Sequence, residues 1–212
     1  MDHEYFKNLN NIIKVKQKNI IFISYAPNYG GHAVRRIISA SPEIFYPTNN
    51  PLKYPDHLEG FVVHQNWDIP SSFIKQHLGA CHEDLIHYPP TSLDEIIKFY
   101  GYLRKQSKIC LTTHDLSIQE KFDCITIRLV GKMLDRCMWA RQETPEIESV
   151  QSENLINLNV NKLFSYDYEE FESEYLTLCK NIDIFPQINS VRSFILLWLE
   201  KQQRLKKILN EP

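Results

Sequence analysis

The stretch Asn19-Ile20-Ile21-Phe22-Ile23-Ser24, followed by Tyr25-Ala26-Pro27-Asn28-Tyr29-Gly30-Gly31-His32 and then Ala33-Val34-Arg35-Arg36-Ile37-Ile38, decides the reading of this chain. A β-branched and aromatic run, a loop with Pro and Gly, and an apolar-periodic segment predict strand, tight loop and helix. Such a loop offers backbone N–H groups at a helix N-terminus, where the helix dipole favours an anion. Adjacent glycines let that backbone approach a phosphate or sulfate without a Cβ in the way. The plainer alternative is a strand-to-helix connection that holds no ligand.

Further along, Lys108-Ile109-Cys110-Leu111-Thr112-Thr113 and Cys124-Ile125-Thr126-Ile127-Arg128-Leu129 read as buried strands, the second followed by a helix over about 133–141. Segment 41–55 has four prolines and reads as a surface excursion. Phe61-Val62-Val63-His64-Gln65 is a short strand candidate, and helices are predicted after Pro70 and over 92–106, the latter with a Ser92/Glu95 capping box. Segment 158–164 is a further strand candidate. Asp167 and Glu170 have capping-box spacing for a helix whose apolar positions are Tyr168, Phe171, Tyr175, Cys179 and Ile182. A last helix over 190–209 buries Val191, Phe194, Ile195, Trp198, Leu199, Leu205 and Ile208. Strands alternating with helices imply an α/β fold, a mainly parallel sheet covered by helices on both faces, with ligands beyond the carboxyl ends of the strands.

The 212 residues suit one domain, 1–212, with 1–18 as an N-terminal extension and 190–209 as the C-terminal helix. A formal net charge of −2 gives no electrostatic reason to expect nucleic acid or an anionic membrane, so an anion site must be local. Five widely spaced cysteines fit reduced thiols better than a disulfide framework. The polar start and the lack of any apolar run near ~18 residues argue against export or a membrane span, and the expected compartment is cytoplasmic.

Several side chains compete for functional roles. His114, at a strand end, is the first candidate for a general base, since a histidine titrates near neutrality; a strand-end histidine that only caps or packs is the alternative. His32 stands in the first turn of a helix, where it is suited to contact an anion or donate to a leaving oxygen. His64 has only its strand-end position to recommend it. Arg128 can bind a phosphate bidentately or serve as an ion-pair partner. Arg35 and Arg36 are expected on a solvated face. Cys81-His82-Glu83 with His87 lacks the spacing of a zinc site, so no metal is expected. Without Gly-Lys-Ser/Thr after the glycines, an ATP- or GTP-hydrolysing loop is not expected.

Three segments carry a family resemblance. The first strand and loop, running on to Ile38-Ser39-Ala40-Ser41-Pro42-Glu43-Ile44-Phe45, resemble the 5′-phosphosulfate loop of the P-loop sulfotransferases. Leu111-Thr112-Thr113-His114-Asp115-Leu116 resembles that family's strand ending in a histidine base. Ile127-Arg128 and the helix after it, through Asp135, Arg136 and Trp139, stand where the family binds a 3′-phosphate. The resemblance implies a three-layer P-loop-type fold and transfer of a sulfuryl group from 3′-phosphoadenylyl sulfate to a hydroxyl or amine of a small-molecule or glycan acceptor. It implies that Pro27, Asn28, Tyr29, Gly30, Gly31, His32, Ala33 and Arg128 bind this nucleotide, or adenosine 3′,5′-bisphosphate, and that His114 and His32 serve catalysis. Asn28 stands where the family usually has Lys or Arg, Gly31 and His32 where a Ser or Thr is usual, and Leu129-Val130-Gly131-Lys132 replaces its Arg-x-Pro-x-Asp run. A cation in the loop would neutralise charge on the leaving bridging oxygen, a contribution on the order of 100-fold in rate. These departures motivate the alternative expectation, a non-catalytic binding or assembly protein of the same fold, such as a virus or phage particle component.

Overall fold

A computed structural model describes residues 17–26, 29–45, 52, 108–113, 115–132 and 145–210. A short 3-10 turn (Gln17–Asn19) leads into β1 (Ile20–Ser24), and α1 (Gly31–Ile38) follows the loop. Then come β2 (Ile44–Phe45), β3 (Lys108–Thr113), α2 (Ile118–Lys121) and β4 (Ile125–Val130). β5 (Leu155–Asn159), α3 (Val160–Leu163), α4 (Tyr168–Asn181) and α5 (Ile188–Asn210) complete the order. The five strands lie in the order β2-β3-β1-β4-β5, and every pairing is parallel. This is an α/β fold with a parallel sheet, as the alternating pattern predicts.

Alternation along the strands divides the core. Ile21, Ile23, Cys110, Ile127, Leu129 and Leu158 share one face with the buried side chains of α1, α3, α4 and α5. Phe22 belongs to the other face, where α2 and its flank contribute Ile118 and Phe122, the two phenylalanine rings lying 6.0 Å apart. Among the described residues, the long helices thus share one core with one face of the sheet. Burial pushes the thiols of Cys110 and Cys124 up to about 12 and that of Cys179 to about 11, and all three are free. Reduced thiols at these positions agree with the sequence reading. No described helix is long and apolar enough to cross a membrane.

Four expectations change in the structure. The strand candidate over 158–164 ends early: β5 closes at Asn159, whose side chain accepts from the backbone N–H of Asn161 at 3.0 Å and of Lys162 at 3.4 Å and so starts α3. A local cap overrides the β-leaning composition of Val160-Asn161-Lys162-Leu163. Tyr168 is 45% exposed, and Leu178 takes a buried place on α4 beside Phe171, Tyr175 and Cys179. Arg35 and Arg36 are buried, not solvated. α5 lies against α1 here, with the Arg36 guanidinium 5.9 Å from the centre of the Phe194 ring, so this long side chain runs along apolar surface. The start of the 41–55 excursion is also interior, because Ile44–Phe45 pairs with Lys108–Ile109 as the edge strand and Ser41 and Ile44 are buried. The candidate strand at 61–65, the helices after Pro70, over 92–106 and over 133–141, and the cluster Cys81 to His87 lie outside the described residues.

α4 is closed by side chains at its start and by the backbone at its end. Asp167 accepts from the N–H groups of Glu169 at 2.8 Å and Glu170 at 3.1 Å. The expected return contact from Glu170 runs through Ser165, whose hydroxyl donates to Glu170 Oε2 at 2.8 Å and accepts from the Asp167 N–H at 3.0 Å. At the other end, Ile184 N–H reaches Cys179 O and Asp183 N–H reaches Lys180 O, a Schellman arrangement with Asp183 at φ 53°. Lys108 Nζ then donates to the carbonyls of Ile182 and Asp183 at 2.8 and 2.7 Å, tying the start of β3 to this end.

Candidate functional site

β1 is the central strand, and the chain leaves it through α1 toward the β2 edge, whereas the connection after β3 returns past β1 to β4 on the other side. Where a parallel sheet changes winding direction in this way, a crevice opens beyond the carboxyl ends of the strands. The register places Ser24 beside Thr113 on one flank and Arg128 on the other. Directly beyond Ser24 the loop reaches Gly30, which has φ 73° and ψ 26° and stands at the N-cap of α1. That left-handed conformation favours glycine. As a glycine, this N-cap residue makes no side-chain hydrogen bond to the helix. Tyr29, Gly30, Gly31, His32 and Ala33, all expected in the anion loop, are together at its start; Pro27 and Asn28 lie outside the described residues.

Gly31 has a geometric requirement of its own. A Cβ there would stand 2.2–2.4 Å from ring atoms of Tyr25, far inside contact distance. The Tyr25 ring is buried against this glycine, and its hydroxyl lies 3.3 Å from His32 Nε2 with the two rings edge-on at 6.2 Å. Thus the side chain that follows β1 packs onto the first turn of α1. The sequence shows both residues but nothing of their contact.

Across the crevice, the turn after β3 is held from two strands. Ser24 Oγ donates to Asp115 O at 2.9 Å, and an Arg128 Nη donates to Leu116 O. Asp115 Oδ1 accepts from the N–H and hydroxyl of Ser117 at 3.0 and 2.8 Å, an Asx turn that the Asp-x-Ser spacing could have signalled. Arg128 is 6% exposed, and its Nε is buried without a hydrogen-bond partner. A guanidinium offers five N–H groups in a planar fork, so this one retains donor capacity toward an anion. His114, the expected base, lies outside the described residues, as does His64. Among the described residues, no group of three His, Cys, Asp or Glu side chains is placed to hold a metal.

The loop is also tied to a third segment. Tyr29 is fully buried, and its hydroxyl donates to Pro145 O. Burial raises the phenol above its ordinary value, and the Glu146 carboxylate adds to this. Two residues on, Ile147 pairs antiparallel with Gly131, their N–H and C=O groups exchanging bonds of 3.1 and 3.3 Å just past β4. Gly131 has φ 97° and faces Asn159 and Asn161, leaving little room for a side chain. The same end of the sheet thus carries the glycine start of α1 and, on β4, a buried arginine whose guanidinium reaches the turn before α2. Comparison with known proteins adds no relative to these features: no family model, no curated protein and no solved structure matches the chain.

Proposed function

We propose that this protein binds a phosphoadenosine-type nucleotide beyond the carboxyl end of β1 and acts as a sulfotransferase of P-loop type. The observation that carries the reading is the presence, at one end of the sheet, of a helix start whose N-cap Gly30 offers no side chain and of Arg128, whose buried Nε has no partner. Uncapped N–H groups and an unsatisfied guanidinium donor are each costly to leave without an acceptor, and an oxyanion satisfies both kinds. The sequence resemblance supplies the choice of anion and of chemistry. In that chemistry the acceptor oxygen bonds to sulfur as the bridging S–O bond breaks, His114 takes the acceptor proton, and adenosine 3′,5′-bisphosphate leaves.

Isothermal titration with adenosine 3′,5′-bisphosphate tests the binding half: saturable heat is expected, and none at millimolar ligand overturns it. His114→Ala tests the catalytic half, with sulfuryl transfer abolished and nucleotide affinity nearly unchanged. Equal loss of both removes the base assignment. A second reading, a non-catalytic binding or assembly protein, is favoured by one contact: Tyr25 already fills the space beside Gly31 that a ligand loop would otherwise keep open. Nucleotide binding without transfer to any hydroxyl or amine acceptor would select it.

A further inference from the structure

We infer that Tyr29 is a positioning residue of the nucleotide loop, acting through the segment 145–147; this rests on the anion-site reading above. Tyr29 immediately precedes Gly30, so its side chain sets where the first N–H groups of α1 stand. The ring is fully buried and the hydroxyl is anchored on Pro145 O. The Tyr29 backbone is held as well, its N–H donating to Ala26 O at 3.2 Å. Segment 145–147 is fixed in turn to the end of β4 by the two bonds between Gly131 and Ile147. Three residues along β4 from Gly131 stands Arg128. The hydroxyl therefore links the two halves of the crevice, helix start and β4 end, through described contacts only. Losing it leaves the Pro145 carbonyl without this donor and frees the loop to change position relative to Arg128.

The test is amide exchange with and without adenosine 3′,5′-bisphosphate, on wild type and Tyr29→Phe, with thermal melts to verify folding. In wild type the ligand is expected to slow exchange at Gly131 and Ile147 as well as at Gly30 and Gly31. In Tyr29→Phe the slowing at Gly131 and Ile147 is lost and affinity falls about tenfold, the size expected for one buried hydrogen bond. A residue with only a stabilising role would lower the melting point and leave the ligand-linked exchange intact. Should Tyr29→Phe not fold, Gly131→Ala breaks the same link from the β4 side, where φ 97° strains any side chain, and the loss is read at Ile147. Ligand binding that leaves Ile147 unchanged in wild type, or a Tyr29→Phe affinity equal to wild type, overturns the inference. Absence of ligand binding to wild type overturns the anion-site reading itself, a separate result.

Discussion

Two helix starts in this molecule are built in opposite ways. At α4, Asp167 turns its own carboxylate onto the N–H groups of Glu169 and Glu170, and Ser165 and Glu170 complete the closure. At α1, the N-cap is Gly30, which has no side chain to offer. The first start carries its anion within the chain; at the second, the N-cap residue supplies none. Closure suits α4, whose place beside β5 and α5 is architectural, and Glu174 adds a 2.7 Å bond from the Asn159 N–H to its carboxylate. Openness at α1 coincides with the centre of the sheet, the turn of the winding and a buried arginine with spare donor capacity. The difference teaches that two helices of one fold can start in different ways, one with a side-chain cap and one with a glycine at the N-cap.

The largest effect is expected where the closed side is anchored. Phe171 is fully buried, stacked on Tyr175 at 5.7 Å with the Arg192 guanidinium 5.0 Å from its ring centre. Phe171→Ala should cost about 3–5 kcal/mol, read as a drop in the denaturant midpoint. A cost below about 1 kcal/mol would show that α4 is not held by this core. Next comes the open side: Gly31→Ala forces the Tyr25 ring to move and should cost about 1–3 kcal/mol, even though alanine favours helix. In a Tyr25→Ala background the same substitution should cost much less; an unchanged cost would assign the glycine to something other than this contact.

Asp167→Ala removes the closed cap and should cost about 1 kcal/mol, in the usual range for an N-cap. No substitution at Gly30 can remove a side-chain cap, so the two starts differ in kind, and a null result at Asp167 would erase the contrast. The smallest effect concerns pH. The Ser41 hydroxyl, aided by the Phe185 N–H and by Lys108, holds the Glu43 carboxyl below its ordinary value of 4.5. A depressed folded value means that this stabilisation is present above the unfolded value and lost as pH falls through the folded one. Glu43→Gln should therefore lower stability at neutrality and flatten the stability profile below about pH 4.5. A profile with the same acid slope in both proteins would contradict the assignment.

The parallel sheet was legible because its strands are buried on both faces and read as apolar runs: β1, β3 and β4 lie within a residue of their expected bounds. The Asp167 cap was legible because capping is local in sequence. α3 was not, since four residues of mixed composition turn helical only through the Asn159 side chain. The burial of Arg36 was hidden because it involves Phe194 of α5, which packs on α1 from more than a hundred residues away. At the site, the glycine loop and Arg128 stood out by residue type and strand-end position. The links that join them, Ser24 to Asp115 and Tyr29 to Pro145, separate by 91 and 116 residues and leave no local pattern.

The contrast between the two helix starts can be measured in one experiment, a heteronuclear NMR titration of the protein with adenosine 3′,5′-bisphosphate. The amides of Gly30, Gly31 and His32 should shift and saturate, while those of Glu169 and Glu170, already bound to Asp167, stay in place. Saturating ligand with no movement at Gly30–His32, or equal movement at both helix starts, would contradict the account.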